Sequence, residues 1–237
     1  MKQLKEIIKK NIIKFLPNAV KNELSKKPKW ANISYSQEGE DLILERFFEG
    51  KEIGFFVDIG AHHPMRFSNT YIFYLKGWRG INVDATPGSM IPFEEKRPDD
   101  INLEIGVTKE IGELEYYIFD EPALNTFNKE RADYLVKETN FKLKQEKKIK
   151  TQPLSKILNE YLPINKKIDF LTIDVEGLDL EILQSNDWEK YKPEIILCED
   201  LNGSLENIES SKLYQLLHSH NYTLVARSYN TMFFKLI

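Results

Sequence analysis

Cysteine is nearly missing from this chain: Cys198 is the only one in 237 residues. An internal disulfide is therefore excluded, and no Cys/His cluster has the spacing of a structural zinc site. That usage reads as a reduced, intracellular protein, with the cytoplasm as the expected place. Long apolar runs are also lacking. None approaches the roughly 20 residues that cross a bilayer, and Met1 to Lys10 has no uninterrupted apolar core of a secretory signal. Nor is there an excess of basic residues: 33 Lys and Arg stand against 37 Asp and Glu, a formal net charge of -4. Nucleic acid is accordingly not expected as a partner, because phosphate neutralisation needs the opposite balance. What the chain does have is 41% hydrophobic and 12% aromatic content, enough for one substantial core.

The first residues form a segment of their own. Leu4, Ile7, Ile8, Ile12, Phe15 and Leu16 recur at helical spacing among Lys2, Lys5, Lys9, Lys10 and Lys14. This predicts a basic amphipathic helix over residues 1–32 that packs on its own domain or on a second subunit, with a membrane surface as the alternative. Lys26-Lys27-Pro28-Lys29 reads as a break, since proline suits a helix interior poorly. A single domain, residues 33–237, is expected to follow.

Within it, short apolar strands alternate with helical patterns. Strands are predicted at residues 54–58, 81–84, 101–104, 168–173 and 194–198, and helices at 71–76, 90–96, 154–161, 178–184 and 211–220. Alternation of this kind implies an α/β fold with a mainly parallel sheet and helices on both faces. Residues 222–225 and 232–236, separated by Ser228-Tyr229-Asn230, predict a closing hairpin and an antiparallel edge strand. An insertion at about 112–150 breaks the pattern, with a strand at 114–119, a loop at 122–128 and a charged helical or mobile stretch at 131–148. Such an insertion serves equally as a solvated excursion or as a substrate wall, where Tyr116, Tyr117, Asn125, Thr126 and Phe127 would meet a sugar.

Open parallel sheets bind ligands beyond the carboxyl ends of their strands, near the point where strand order reverses. Several of these strands end in an acid. After the first come Asp58 and Gly60, the glycine permitting a tight turn and a close ligand. Asp84 ends the second, where a carboxylate takes both hydroxyls of a ribose, and Glu104 ends the third, near an adenine. The order describes a nucleoside site. A dinucleotide site would want Gly-x-Gly-x-x-Gly, whereas this chain has Gly60-Ala61-His62-His63-Pro64-Met65. A ligand carrying a positive sulfonium and an amino group suits the acids better, which points to S-adenosylmethionine.

Those residues carry a family likeness. Phe56-Val57-Asp58-Ile59-Gly60-Ala61, Ser68-Asn69-Thr70-Tyr71, Gly77-Trp78-Arg79-Gly80 and Val83-Asp84-Ala85-Thr86-Pro87 come in order, with Ile168 to Gly177 downstream. The series resembles the FkbM-type class I methyltransferases, and Ser36-Gln37-Glu38-Gly39-Glu40-Asp41 is similar to the upstream motif of a bacterial branch found among surface-polysaccharide genes. The resemblance implies a Rossmann-like, doubly wound, seven-stranded fold that uses S-adenosylmethionine for O-methylation of a sugar or glycan hydroxyl. Carried over, Asp58, Gly60 and Ala61 line the methionine end, Asp84 and Ala85 hold the ribose, Glu104 and Ile105 flank the adenine, and Gln37 and Asp41 close over the cofactor. Many relatives have Asn and Gly where this chain has His62, His63 and Pro64.

Methyl transfer from a sulfonium needs an acceptor oxygen held in line and a base for its proton. His62 or His63 is the candidate base. Asp174 and Glu176 close the fourth predicted strand and Glu199 and Asp200 the fifth, so Asp174, Glu199 and Asp200 form a candidate magnesium or manganese site. Otherwise these carboxylates, the catalytic candidate Asp174 among them, orient the acceptor or hold the Gly177 turn and the helix N-terminus. Asp174-Val175-Glu176 also permits a nucleotide-sugar glycosyltransferase, and the fold alone permits a catalytically silent nucleoside-binding module.

Overall fold

In this computed structural model, residues 31–200 and 205–237 are described, and the expected N-terminal helix lies outside them. Residues Ser34–Ile237 make one compact unit. Seven strands form its central sheet: β1 (Phe55–Ile59), β2 (Arg79–Asp84), β3 (Ile101–Glu104), β7 (Phe170–Ile173), β8 (Ile195–Glu199), β9 (Tyr222–Arg227) and β10 (Thr231–Leu236). Their order is β3-β2-β1-β7-β8-β10-β9. All pairs through β8 are parallel, and β10 runs antiparallel to both β8 and β9. This is the doubly wound α/β sheet with the expected antiparallel C-terminal edge. Strand order reverses between β1 and β7.

The strands of the sheet centre are buried on both sides, so their residues feed two cores alternately. Val57, Ile59, Leu171, Ile173 and Ile196 pack one face together with helices α5 (Leu154–Tyr161), α6 (Asp179–Gln184) and α7 (Lys212–Ser219). Phe56, Phe170, Ile195 and Leu197 pack the other, against Leu44 of α1 (Glu40–Phe47) and Phe73 of α2 (Tyr71–Leu75). Local signals explain the helices: Leu154, Ile157 and Leu158 give α5 one apolar stripe, and Ser211 caps α7 by accepting the Tyr214 amide. A short α3 (Ile91–Lys96), with Pro92 in its first turn, completes this half. Cys198 is wholly buried core, as its strand position suggests. Among the described residues no helix is long and apolar enough to cross a membrane.

The insertion folds as a second, three-stranded sheet in the order β4-β6-β5, from β4 (Gly106–Val107), β5 (Gly112–Phe119) and β6 (Leu143–Gln152). Helix α4 (Lys129–Glu138), capped by Asn128, joins the last two. The charged stretch 131–148 is thus corrected: its helix stops at Glu138, and from Leu143 the chain is a strand. Lys150 faces Glu113 and Lys148 faces Glu115 across the ladder, so β6 gains its order from opposite-charge partners supplied by β5.

Candidate functional site

Two clefts open at the carboxyl ends of β1, β2, β7 and β8, the reversal point where an open sheet takes its ligands. The first holds about 490 Å³ of empty space, its mouth included. Ile59, Val83, Ile105, Val107 and Phe127 give it apolar walls, and Asp84 and His62 give it polar ones. The second, about 360 Å³, is lined by Gln37, Phe67, Asn69, Glu199 and Thr231 among others. Asp174 belongs to both.

The turn after β1 is built around Gly60. Its φ is +84°, and a Cβ there would lie 1.8 Å from the Asp174 carbonyl oxygen, so only glycine lets the β1 and β7 loops come this close. His62 follows at φ +52°. Asp84 holds this loop to its own: Oδ2 accepts the His62 amide at 3.0 Å and Oδ1 accepts the Thr86 amide at 2.7 Å. The carboxylate is 8% exposed, so its orientation is set before a ligand arrives. Burial holds the His62 imidazole below its ordinary pKa, opposed by Asp84 and aided by Arg66, whose Nη1 lies 3.3 Å from Nε2.

Beyond β7, Glu176 sits at φ +53° and Gly177 at +101°. A left-handed non-glycine costs about 1 kcal/mol or more and persists only where neighbours impose it. Here the insertion does so. Arg131 grips the Glu176 carboxylate with Nε at 3.1 Å and Nη2 at 2.9 Å, while Thr126 Oγ1 donates to the Glu176 carbonyl at 3.2 Å. Tyr116, 5% exposed, lies against Phe127 with ring centroids 4.5 Å apart and its hydroxyl 3.1 Å from Thr86 Oγ1. Burial keeps that phenol protonated well beyond neutral pH. Asn125 Nδ2 donates to the same Thr86 hydroxyl at 3.0 Å. Four of the five insertion residues read as sugar contacts therefore wall the first cleft, whereas Tyr117 points away into a small core with Phe119, Ala132 and Leu135.

Acids concentrate where the clefts meet. Asp174 is open to cleft water yet set deep among protein atoms, and this surrounding raises its pKa, with Glu199, Glu176 and Asp58 adding repulsion. Glu199 is raised as well, by burial and then by Asp179 and Glu176. Neither cleft has a lysine or arginine among its described lining residues.

The structure brings Gly60, His62, Asp84, Ala85, Ile105 and Asp174 together in the first cleft, and Gln37, Asp174 and Glu199 in the second. The other expected site residues line neither. Asp58 points to the sheet face of Phe56, where it accepts Thr70 Oγ1 at 2.8 Å and burial raises its pKa to about 6. Ala61 packs on Met90 and Phe93. Glu104 is exposed and accepts the Gly88 amide at 2.7 Å, whereas Ile105 next to it lines the first cleft. Asp41 is fully buried on Ser34, Ser36 and the Tyr35 amide. His63 Nδ1 accepts the amides of Met65 and Arg66, which makes it a turn residue. The expected metal site finds no support: among the described residues no three His, Cys, Asp or Glu converge as ligands. Asp200 instead accepts Ser211 Oγ at 2.6 Å, at the cap of α7, while Asp174 and Glu199 face the second cleft.

In comparison with known families, residues 58–224, from β1 into β9, match the Methyltransferase FkbM domain. No curated protein and no solved structure matches. A family model spanning most of the chain, over a sheet of this order with its cleft at the β1/β7 reversal, makes this protein a member of the FkbM methyltransferase family.

Proposed function

We propose that this protein transfers a methyl group from S-adenosylmethionine to a hydroxyl of a sugar or glycan. The observation that carries the reading is the shared position of Asp174, a carboxyl that forms the wall between two clefts of unlike character. The first suits a nucleoside: Ile105, Val83 and Phe127 offer apolar surface to a base, and Asp84 offers a fixed carboxylate to a ribose. Its acids, unopposed by any lining cation, suit the positive sulfonium and amino group of the cofactor. When bound, the cofactor supplies an activated methyl group.

The protein's part is to place the acceptor and move one proton. Gln37, Asn69 and Glu199 hold hydroxyls in the second cleft, within reach of the shared wall. Asp174 takes the hydroxyl proton as the oxygen attacks. Its raised pKa brings a carboxylate closer to the range useful for general-base work. His62 lines only the first cleft, and His63 neither, so neither imidazole matches this task as well. The second cleft carries Glu38, Glu40, Asp174 and Glu199 without a cation, which favours a neutral acceptor over one bearing phosphate. The same lack of cations disfavours the nucleoside diphosphate of a glycosyltransferase.

Calorimetric titration with S-adenosylmethionine and S-adenosylhomocysteine tests the cofactor site. Asp84→Asn should bind about 10- to 100-fold more weakly, the scale of a lost hydrogen bond to a charged group. Parent protein that is folded yet binds neither compound overturns the reading. Formation of S-adenosylhomocysteine with a panel of neutral sugars then separates an enzyme from a silent binding module, and Asp174→Asn should bind cofactor but lose turnover by about 100-fold or more.

A further inference from the structure

The amino-terminal edge of the sheet, at the far end from both clefts, carries a wide groove with a charge opposite to that of the site. Lys51, Lys166, Lys167, Lys190, Lys192 and Lys235 line it and all are exposed. Only two acids, Asp169 and Glu194, are among its lining residues, and Lys51 pairs with both. Among the described residues Lys167 and Lys235 have no carboxylate partner, and Lys166 lies over the Phe55 ring, 5.6 Å from its Nζ, with no carboxylate partner either. In a chain of net charge -4, this makes one end of the domain locally positive while the catalytic end is acidic.

Apolar side chains stand out among these lysines. Pro163 and Lys166 close a turn, the Lys166 amide donating to the Pro163 carbonyl at 3.0 Å, with Asn165 at φ +59°. Ile164 occupies its tip and is 93% exposed. Ile53, two residues from Lys51, is 71% exposed. A turn of this shape has no folding reason to carry isoleucine, since none of the described residues covers it. Apolar tips ringed by lysines fit an interface where charge meets headgroups and hydrocarbon lies just beneath.

We propose that this groove docks the protein on an anionic phospholipid surface, with Ile164 entering the interface and the two clefts facing away into water. The isoleucine tips decide between a membrane and a dissolved polyanion, because only the former rewards an apolar side chain at near-full exposure. The orientation follows from the charge distribution, since the acidic end is repelled by the surface that attracts the lysines.

Sedimentation of the full chain with vesicles tests this, using equimolar phosphatidylglycerol and phosphatidylcholine against phosphatidylcholine alone. Binding to the anionic vesicles only is expected, weakening between about 0.05 and about 0.5 M salt as screening sets in. The triple variant Lys166→Gln, Lys167→Gln, Lys235→Gln should bind on the order of a hundredfold more weakly. Ile164→Asp should weaken binding as well, while both variants keep the parent's melting temperature. Undiminished binding by the triple variant would overturn the proposal, placing any contact elsewhere, such as the basic residues near Met1. So would failure of the parent to bind anionic vesicles, or Ile164→Asp binding as tightly as the parent. Cofactor titration of the same variants is independent of these outcomes.

Discussion

Asp179 is 2% exposed; its Oδ1 accepts the Glu199 amide at 2.9 Å, and its Oδ2 has no hydrogen-bond partner among the described residues. Burial, with Asp174 adding repulsion, pushes its pKa up to about 8 from an ordinary 3.8. A carboxyl raised in the folded state holds its proton more tightly than in the unfolded chain. Its contribution to stability is therefore complete below about pH 4 and is lost as pH rises toward about 8. Asp179→Asn keeps the acceptor oxygen for Glu199 and removes the titration, so the melting temperature of the variant should fall less between those limits. Asp58, raised to about 6, leaves a residual slope. Thermal scans of both proteins across that range check this, and parallel pH curves would refute it. At this scale the acids were legible in the sequence, but their directions were not. Asp58 and Asp84 look equivalent at strand ends, yet Asp58 stands before the last residue of β1 and is turned into the core, whereas Asp84 is the last residue of β2 and faces the cleft.

At the scale of elements, the insertion decides the shape of the first cleft. Its β5, the loop of residues 125–127 and α4 supply Tyr116, Phe127 and Arg131, and Arg131 holds the Glu176 loop in its left-handed bend. That ion pair is only partly exposed, at 26% and 14% of its side chains. Arg131→Ala should weaken S-adenosylmethionine binding about 3- to 10-fold, the scale of roughly 1 kcal/mol for a half-buried pair, with little change in melting temperature. Arg131→Lys should restore part of it. Calorimetry on the three proteins makes the check, and equal affinities would show that the bend stands without Arg131. The strand β6 was hidden in the sequence for a physical reason. Leu143 to Gln152 has one charge after another and most of its residues exposed, so no period of two marks it, and its pairing depends on β5 some 30 residues earlier.

Across the whole molecule, stability depends on aromatic packing between sheet and helices. The Phe170 ring lies within 4.9 to 6.1 Å, centroid to centroid, of Phe48, Phe56, Phe73 and Trp78. It joins β1, β7, α2 and the chain leaving α1 in one cluster, and it is wholly buried. Phe170→Ala should cost about 3–5 kcal/mol, as expected when a large core ring leaves a cavity. Denaturant unfolding with an unchanged m-value would support a loss of packing alone. A loss under about 1 kcal/mol would mean the cluster can collapse around the gap.

Local chemistry alone determined the strands of the central sheet and the helices that follow them, the parallel sheet, the closing hairpin and the family motif, because apolar periodicity, caps and turn residues are read within a few neighbouring positions. Gly60, Asp84, Ile105 and Asp174 were also legible, since the residues just after parallel strands must face the same edge of the sheet. Tertiary structure alone decided that Asp174 is shared by two clefts, that Asp200 holds the capping Ser211 of α7, and that the lysines of four separate segments gather at the opposite edge. Each of these depends on contacts between residues far apart in the chain, which no local pattern encodes.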